Sequence, residues 1–106
     1  MQQFELKAMT GGWFVGDFKP NALRTPAAEV CCKHYRAGDA EPRHVHRVAT
    51  EVTLIVAGRV RMNNVEFRGG DIVRLEPGEA TDFTALEDTV TVVVKTPSIV
   101  GDKYPA

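Results

Sequence analysis

Apolar residues in this chain come in short alternating runs, each closed off by glycine, proline, asparagine or aspartate, and nowhere with a sustained 3.6-residue period. Phe4, Leu6 and Ala8 alternate with charged residues, and Gly11-Gly12 then turns into Trp13–Phe18. Lys19–Pro26 holds two prolines and an asparagine and reads as a loop. Ala27–Arg36 is a strand with Glu29, Cys31, Lys33 and Tyr35 on one face and Val30, Cys32 and His34 on the other. Further runs are Glu51–Ala57, Arg59–Met62, Val65–Phe67, Ile72–Leu75, Phe83–Leu86 and Val90–Lys95. Asn63-Asn64 is the hairpin turn in this series, because asparagine tolerates positive φ. Many short strands separated by turn residues predict an all-β sandwich or closed barrel. In Glu51–Ala57 both faces are largely apolar: Val52, Leu54 and Val56 alternate with Thr53 and Ile55. One face should line the barrel, and the other needs cover from a second sheet or a second subunit, so a homodimer is expected.

A chain of 106 residues fits one domain, residues 1–106, with a modest core. Its net charge of −1 and pI near 6.3 argue against nucleic-acid binding, which shows as a basic excess. No apolar run approaches the length of a membrane span, and Met1–Glu5 has no basic, then apolar, leader pattern. A cytoplasmic location is therefore expected, and the two cysteines agree with it. Cys31 and Cys32 are adjacent, so on a strand they face opposite ways, and a disulfide between them would be strained. One should be a small buried hydrophobe and the other should lie nearer the opposite surface.

The chemistry concentrates between Gly38 and Gly58. His44 and His46 are one residue apart, and on an extended chain both imidazoles point to the same face. Glu51 follows five residues later, an odd number from both, so on one uninterrupted strand it would face away. Arg47–Thr50 must bend the chain if Glu51 is to join them. Two imidazoles and a carboxylate converging on one point make a transition-metal site, with open positions where a substrate can bind.

The spacing Gly38, His44, His46, Glu51, Gly58 resembles the first motif of the cupin family, and Gly70-Asp71 to Pro77-Gly78 resembles the start of its second motif, at about residues 70–86. The resemblance implies a double-stranded β-helix, the cupin or jelly-roll barrel. It also implies one divalent metal ion (iron, manganese, zinc or nickel) on His44, His46 and Glu51. Metal-binding cupins carry a fourth ligand, a histidine, about three residues after the Pro-Gly turn. Here Thr81 stands at that position, and no histidine follows His46. Glu79 and Asp82 are the nearby carboxylates, although Asp82 is one residue off register if Thr81 points inward.

Two functions fit. One is a mononuclear metalloenzyme, of dioxygenase or isomerase type, acting on a small polar metabolite such as a sugar or keto acid, with Glu79 or Tyr35 available to move protons. The other is a non-catalytic module that binds a sugar or acidic metabolite in a degenerate site. Among other residues, Arg43, Arg47, Arg59, Arg61 and Arg74 are candidate anion anchors. Trp13, Phe14, Tyr35 and Phe83 read as core, and His34 as a structural residue on a strand face. The tail from Thr96 onward, with two prolines, should lie extended along the surface or against a partner.

Overall fold

The computed structural model describes residues Met1–Ala106. The alternating runs form ten strands: β1 (Trp13–Val15), β2 (Glu29–Tyr35), β3 (Ala40–Val45), β4 (Thr50–Ala57), β5 (Arg59–Met62), β6 (Val65–Arg68), β7 (Ile72–Leu75), β8 (Thr81–Ala85), β9 (Thr89–Thr96) and β10 (Tyr104–Pro105). They pair antiparallel into two five-stranded sheets, ordered β1-β2-β9-β4-β7 and β10-β3-β8-β5-β6. The inner faces of the two sheets enclose the interior, as expected for a β-barrel of jelly-roll type. No helix is long and apolar enough to cross a membrane.

Turn chemistry sets the connections. Asn63 and Asn64 both take positive φ, 48° and 64°, which is the hairpin geometry joining β5 to β6. Gly58, at φ 99°, lies against the β8–β9 connection, where a Cβ would come within 2.4 Å of the Asp88 carbonyl oxygen. Only glycine fits there.

Two sequence expectations fail. The Phe4–Ala8 alternation does not make a strand: Leu6–Ala8 and Thr10–Gly12 are short 3₁₀ turns, and extended structure begins at Trp13. Gly11 and Gly12 both take positive φ, and a Cβ on Gly12 would lie 2.1 Å from the Cys32 carbonyl oxygen. The tail is not a surface extension either. It folds back over the barrel, burying Ser98 and Asp102, and Tyr104–Pro105 pairs with His44 and Val45 at the edge of the second sheet.

Along the inner faces, side-chain chemistry changes from one end of the barrel to the other. Ile55, Val60, Met62, Leu75, Phe83 and Ala85 form an apolar cluster, with Tyr35, Phe67 and Val73 packed on it. Toward the other end, one cross-strand row reads Glu29 on β2, Lys95 on β9 and Glu51 on β4. This polar end opens into a cavity of about 360 Å³.

Candidate metal centre

Each of the three candidate ligands comes from a different structural setting. His44 lies near the end of β3, paired across the sheet with Thr81. An irregularity in the β3–β8 register between Glu41 and His44 lets both, although three residues apart, line the cavity. His46 lies just past β3, where the chain bends at Arg47 and Val48 before entering β4 at Thr50. That bend falls within the segment where the odd spacing requires it. It carries the chain from one sheet to the other and turns Glu51 inward, 7% exposed.

The structure brings His46 and Glu51 into contact, with Nε2 and Oε1 3.3 Å apart, and puts the His44 and His46 rings edge-to-face at 5.4 Å between centroids. His44 and Glu51 both line the cavity. The three do not form a finished cluster: no group of three or more His, Cys, Asp or Glu donors is gathered closely enough to hold an ion.

Donor chemistry nevertheless suits a metal. The Nδ1 of His44 lies 2.9 Å from the Pro42 carbonyl oxygen, and that of His46 meets the Asp102 carbonyl oxygen. A carbonyl only accepts, so in each neutral ring Nδ1 carries the proton and donates it, leaving the Nε2 lone pair free. This is how ligating imidazoles are oriented. The His46 Nε2 is buried without a hydrogen-bond partner, because its contact with Glu51 lacks hydrogen-bond geometry.

Electrostatics ties the pair together. The Glu51 carboxylate beside His46 holds the imidazole above its ordinary value, against the effect of burial. Burial would raise Glu51, but His46, Lys95 and His44 outweigh it and keep the carboxyl below the usual range.

Sequence reasoning missed Asp102. Its carboxylate accepts hydrogen bonds from the backbone amides of Arg47, Val48 and Ala49, at 2.8 to 3.3 Å, while its carbonyl holds His46. One residue of the tail thus fixes both the bend and an imidazole. Burial works against the Asp102 charge, but the three amides win and lower its pKa. The Arg47 guanidinium stacks 3.9 Å from the Tyr104 ring and so clamps the tail, which crosses the barrel as a strap, further along. Nothing local sets Asp102 apart from an ordinary turn aspartate, since its partners lie more than fifty residues earlier in the chain.

The other candidates sort clearly. Thr81 faces inward, 2% exposed, and lines the cavity. Glu79 is exposed and accepts from the Glu76 amide, and Asp82 accepts from the Asn63 amide, so neither carboxylate replaces a ligand there. Tyr35 lines the cavity, donates to Glu41 at 3.2 Å and is held far above the phenol range, chiefly by burial. His34 is exposed on the outer face of β2. Cys31 is buried and its thiol pushed up to about 11 by burial, while Cys32 is half-buried. No arginine lines the cavity. Arg43 donates to Asn63, Arg59 pairs with Glu66 and Glu87, Arg74 pairs with Glu76, and Arg61 is exposed. The cavity cations are lysines, which sequence reasoning passed over. Lys33 shares the inward parity of Cys31 and Tyr35, and that was the available signal.

Solved structures with this fold are numerous. One is a conserved protein with a double-stranded β-helix domain from Klebsiella pneumoniae, 23% identical over 73% of this chain and 69% of that one, with a TM-score of 0.67. The chain has the cupin fold. A second match is an RmlC-like cupin from Shewanella frigidimarina, 16% identical over 72% of this chain and 71% of that one, TM-score 0.66. A third is the DMSP lyase DddQ from Ruegeria pomeroyi, 16% identical over 89% of this cupin but only 49% of the lyase, TM-score 0.73. No family model matches the sequence, and no curated protein does. At these identities the resemblance establishes the fold alone.

Proposed function

We propose that this cupin barrel binds one divalent transition-metal ion through His44, His46 and Glu51 and acts on a small polar metabolite as a mononuclear metalloenzyme. The observation that carries this reading is the pair of imidazoles whose Nδ1 atoms each face a carbonyl, with the buried His46 Nε2 unpartnered beside the Glu51 carboxylate. A bound ion would supply Lewis acidity, and Thr81 in place of a fourth ligand leaves more of the coordination sphere to water or substrate oxygen. Dioxygenase and isomerase chemistry both suit such a centre. One protein of this fold is named a lyase, which supports an enzymatic use of the barrel.

A non-catalytic binding module is the second reading, favoured by the absence of a gathered three-donor cluster and by Thr81. Metal analysis of protein purified without chelator separates the two at their first step. The enzyme reading expects close to one ion per chain, and His46→Ala should lose it while still unfolding cooperatively. A wild-type chain that takes up no ion would overturn the enzyme reading.

We also propose a homodimer. Cys32, Val92, Leu54 and Ile72 form one cross-strand row on the outer face of the first sheet, and Val30, Val94 and Val52 the next. A second copy would cover this apolar face. Light scattering at tens of micromolar should give twice the 11.7 kDa chain mass.

A further inference from the structure

Two of the four lysines that line the cavity, Lys33 and Lys95, stand on one wall and make only long ion pairs. The Lys33 and Lys95 side chains are 26% and 13% exposed, so each ammonium has lost much of its hydration. Their nearest carboxylate oxygens are 3.6 Å away on Glu41 and 3.7 Å away on Glu29, beyond hydrogen-bond reach. Those carboxylates already accept tighter bonds from elsewhere. Tyr35 donates to Glu41 at 3.2 Å, and Ser98 of the tail strap donates to Glu29 at 2.8 Å. Both ammoniums stand over one aromatic ring, that of Trp13, at 5.6 and 4.9 Å from its centroid. Thr91, the cross-strand partner of Lys33, lines the same cavity with a buried hydroxyl that has no hydrogen-bond partner. Two loosely paired ammoniums and one unpartnered hydroxyl thus gather on one wall, and Lys95 is also the cross-strand neighbour of Glu51.

We infer that this wall binds the carboxylate of a small organic acid, with Lys33 and Lys95 as its anchors and Thr91 as an added donor. The inference rests on the metal reading above and names the substrate class of that same cavity. Charge supports it. Four lysines and four carboxylates line the cavity, so with neutral imidazoles it is balanced, and a divalent ion would leave it positive. A metal-bound acid would offset part of that charge, so metal and acid should favour each other's binding. A volume of about 360 Å³ suits a small metabolite. Two separate ammoniums and a hydroxyl, with no arginine fork in the lining, act as point donors to a small anion such as a carboxylate.

Trp13 is the only tryptophan in the chain, so its emission reports on this wall. The experiment titrates the zinc-loaded full chain with lactate, with its neutral amide lactamide, and with inorganic phosphate. We expect lactate to shift Trp13 emission and to bind at least tenfold more tightly than lactamide or phosphate. Removing zinc should weaken lactate at least tenfold. Lys95→Met should do the same with zinc content unchanged, and Lys33→Met, at the more exposed position, serves as the second variant. Equal affinity for lactate and lactamide would overturn the inference while leaving the metal reading intact. So would lactate binding that neither lysine variant weakens, since the carboxylate would then rest on the ion alone. Tighter binding of phosphate would overturn the choice of a carboxylate. A wild-type chain that binds no zinc would overturn the metal reading and this inference together.

Discussion

Toward one end of the barrel Ile55, Val60, Met62, Leu75, Phe83 and Ala85 pack against one another, with Met62 and Phe83 bordering the cavity and Leu75 opposite Glu51; toward the other, Glu29, Lys33, Lys95, His44 and Glu51 line that open cavity. The same strands build both. Along the inner face of β4, Glu51 gives way to Thr53 and then to Ile55, all buried, while Val52, Leu54 and Val56 point outward. The apolar end supplies the burial that stabilises the fold. The polar end holds charges that a stability optimum would replace with hydrocarbon, and this marks it as the working end.

Mutation should separate the two ends. The largest effect belongs to Ile55→Ala, which removes a fully buried side chain from the apolar cluster. We expect a loss of about 2–5 kcal/mol and a fall in melting temperature of roughly 10 °C or more. Zinc affinity of the molecules that remain folded should not change. If it falls as well, the two ends are coupled and the division is wrong.

Asp102→Ala comes next, because it touches both stability and site. It strips the Arg47, Val48 and Ala49 amides of their acceptor, at a cost of about 1–3 kcal/mol. It also loosens the bend that aims His46, so zinc should bind about 10- to 100-fold more weakly. Calorimetric unfolding and zinc titration read the two effects separately. A stability loss with unchanged zinc affinity would reduce Asp102 to a structural cap. Thr81→His should act in the opposite sense and by less, adding a fourth ligand, and a third nitrogen, beside His44 and tightening zinc.

The fold was largely legible from local rules, because strand alternation and turn residues are written in neighbouring positions. The His44, His46 and Glu51 spacing even required the bend at Arg47–Thr50. Three things were not legible. The Phe4–Ala8 alternation gave way to 3₁₀ turns beside a glycine pair held tightly against Cys32. On β4 the more apolar parity went outside, since Glu51 and Thr53 face the cavity. The strap carrying Asp102 has no periodic pattern, and its meaning lies in contacts with residues far earlier in the chain.

The smallest effect is in pH, and there metal-free and metal-loaded protein should diverge. His46 in the metal-free fold sits above its ordinary value, so its proton stabilises the fold fully below about pH 6.5 and that contribution fades as pH rises through the raised value. Glu51 is held low, so its contribution persists above about pH 4.3 and is lost only in stronger acid. With EDTA present, the melting temperature should therefore drift down from pH 6.5 to 8. With zinc present, the gap between the two forms should widen over the same range, because the metal binds only neutral imidazole. A gap that narrows with rising pH would place zinc on groups other than these histidines.

X-ray absorption of the zinc-loaded chain tests the metal centre most directly. We expect two imidazole nitrogens at about 2.0–2.1 Å, with the remaining scatterers oxygen and no sulfur. His46→Ala should remove one imidazole contribution or abolish binding. A shell with no imidazole, or one containing the sulfur of Cys31 or Cys32, would contradict a site built on His44, His46 and Glu51.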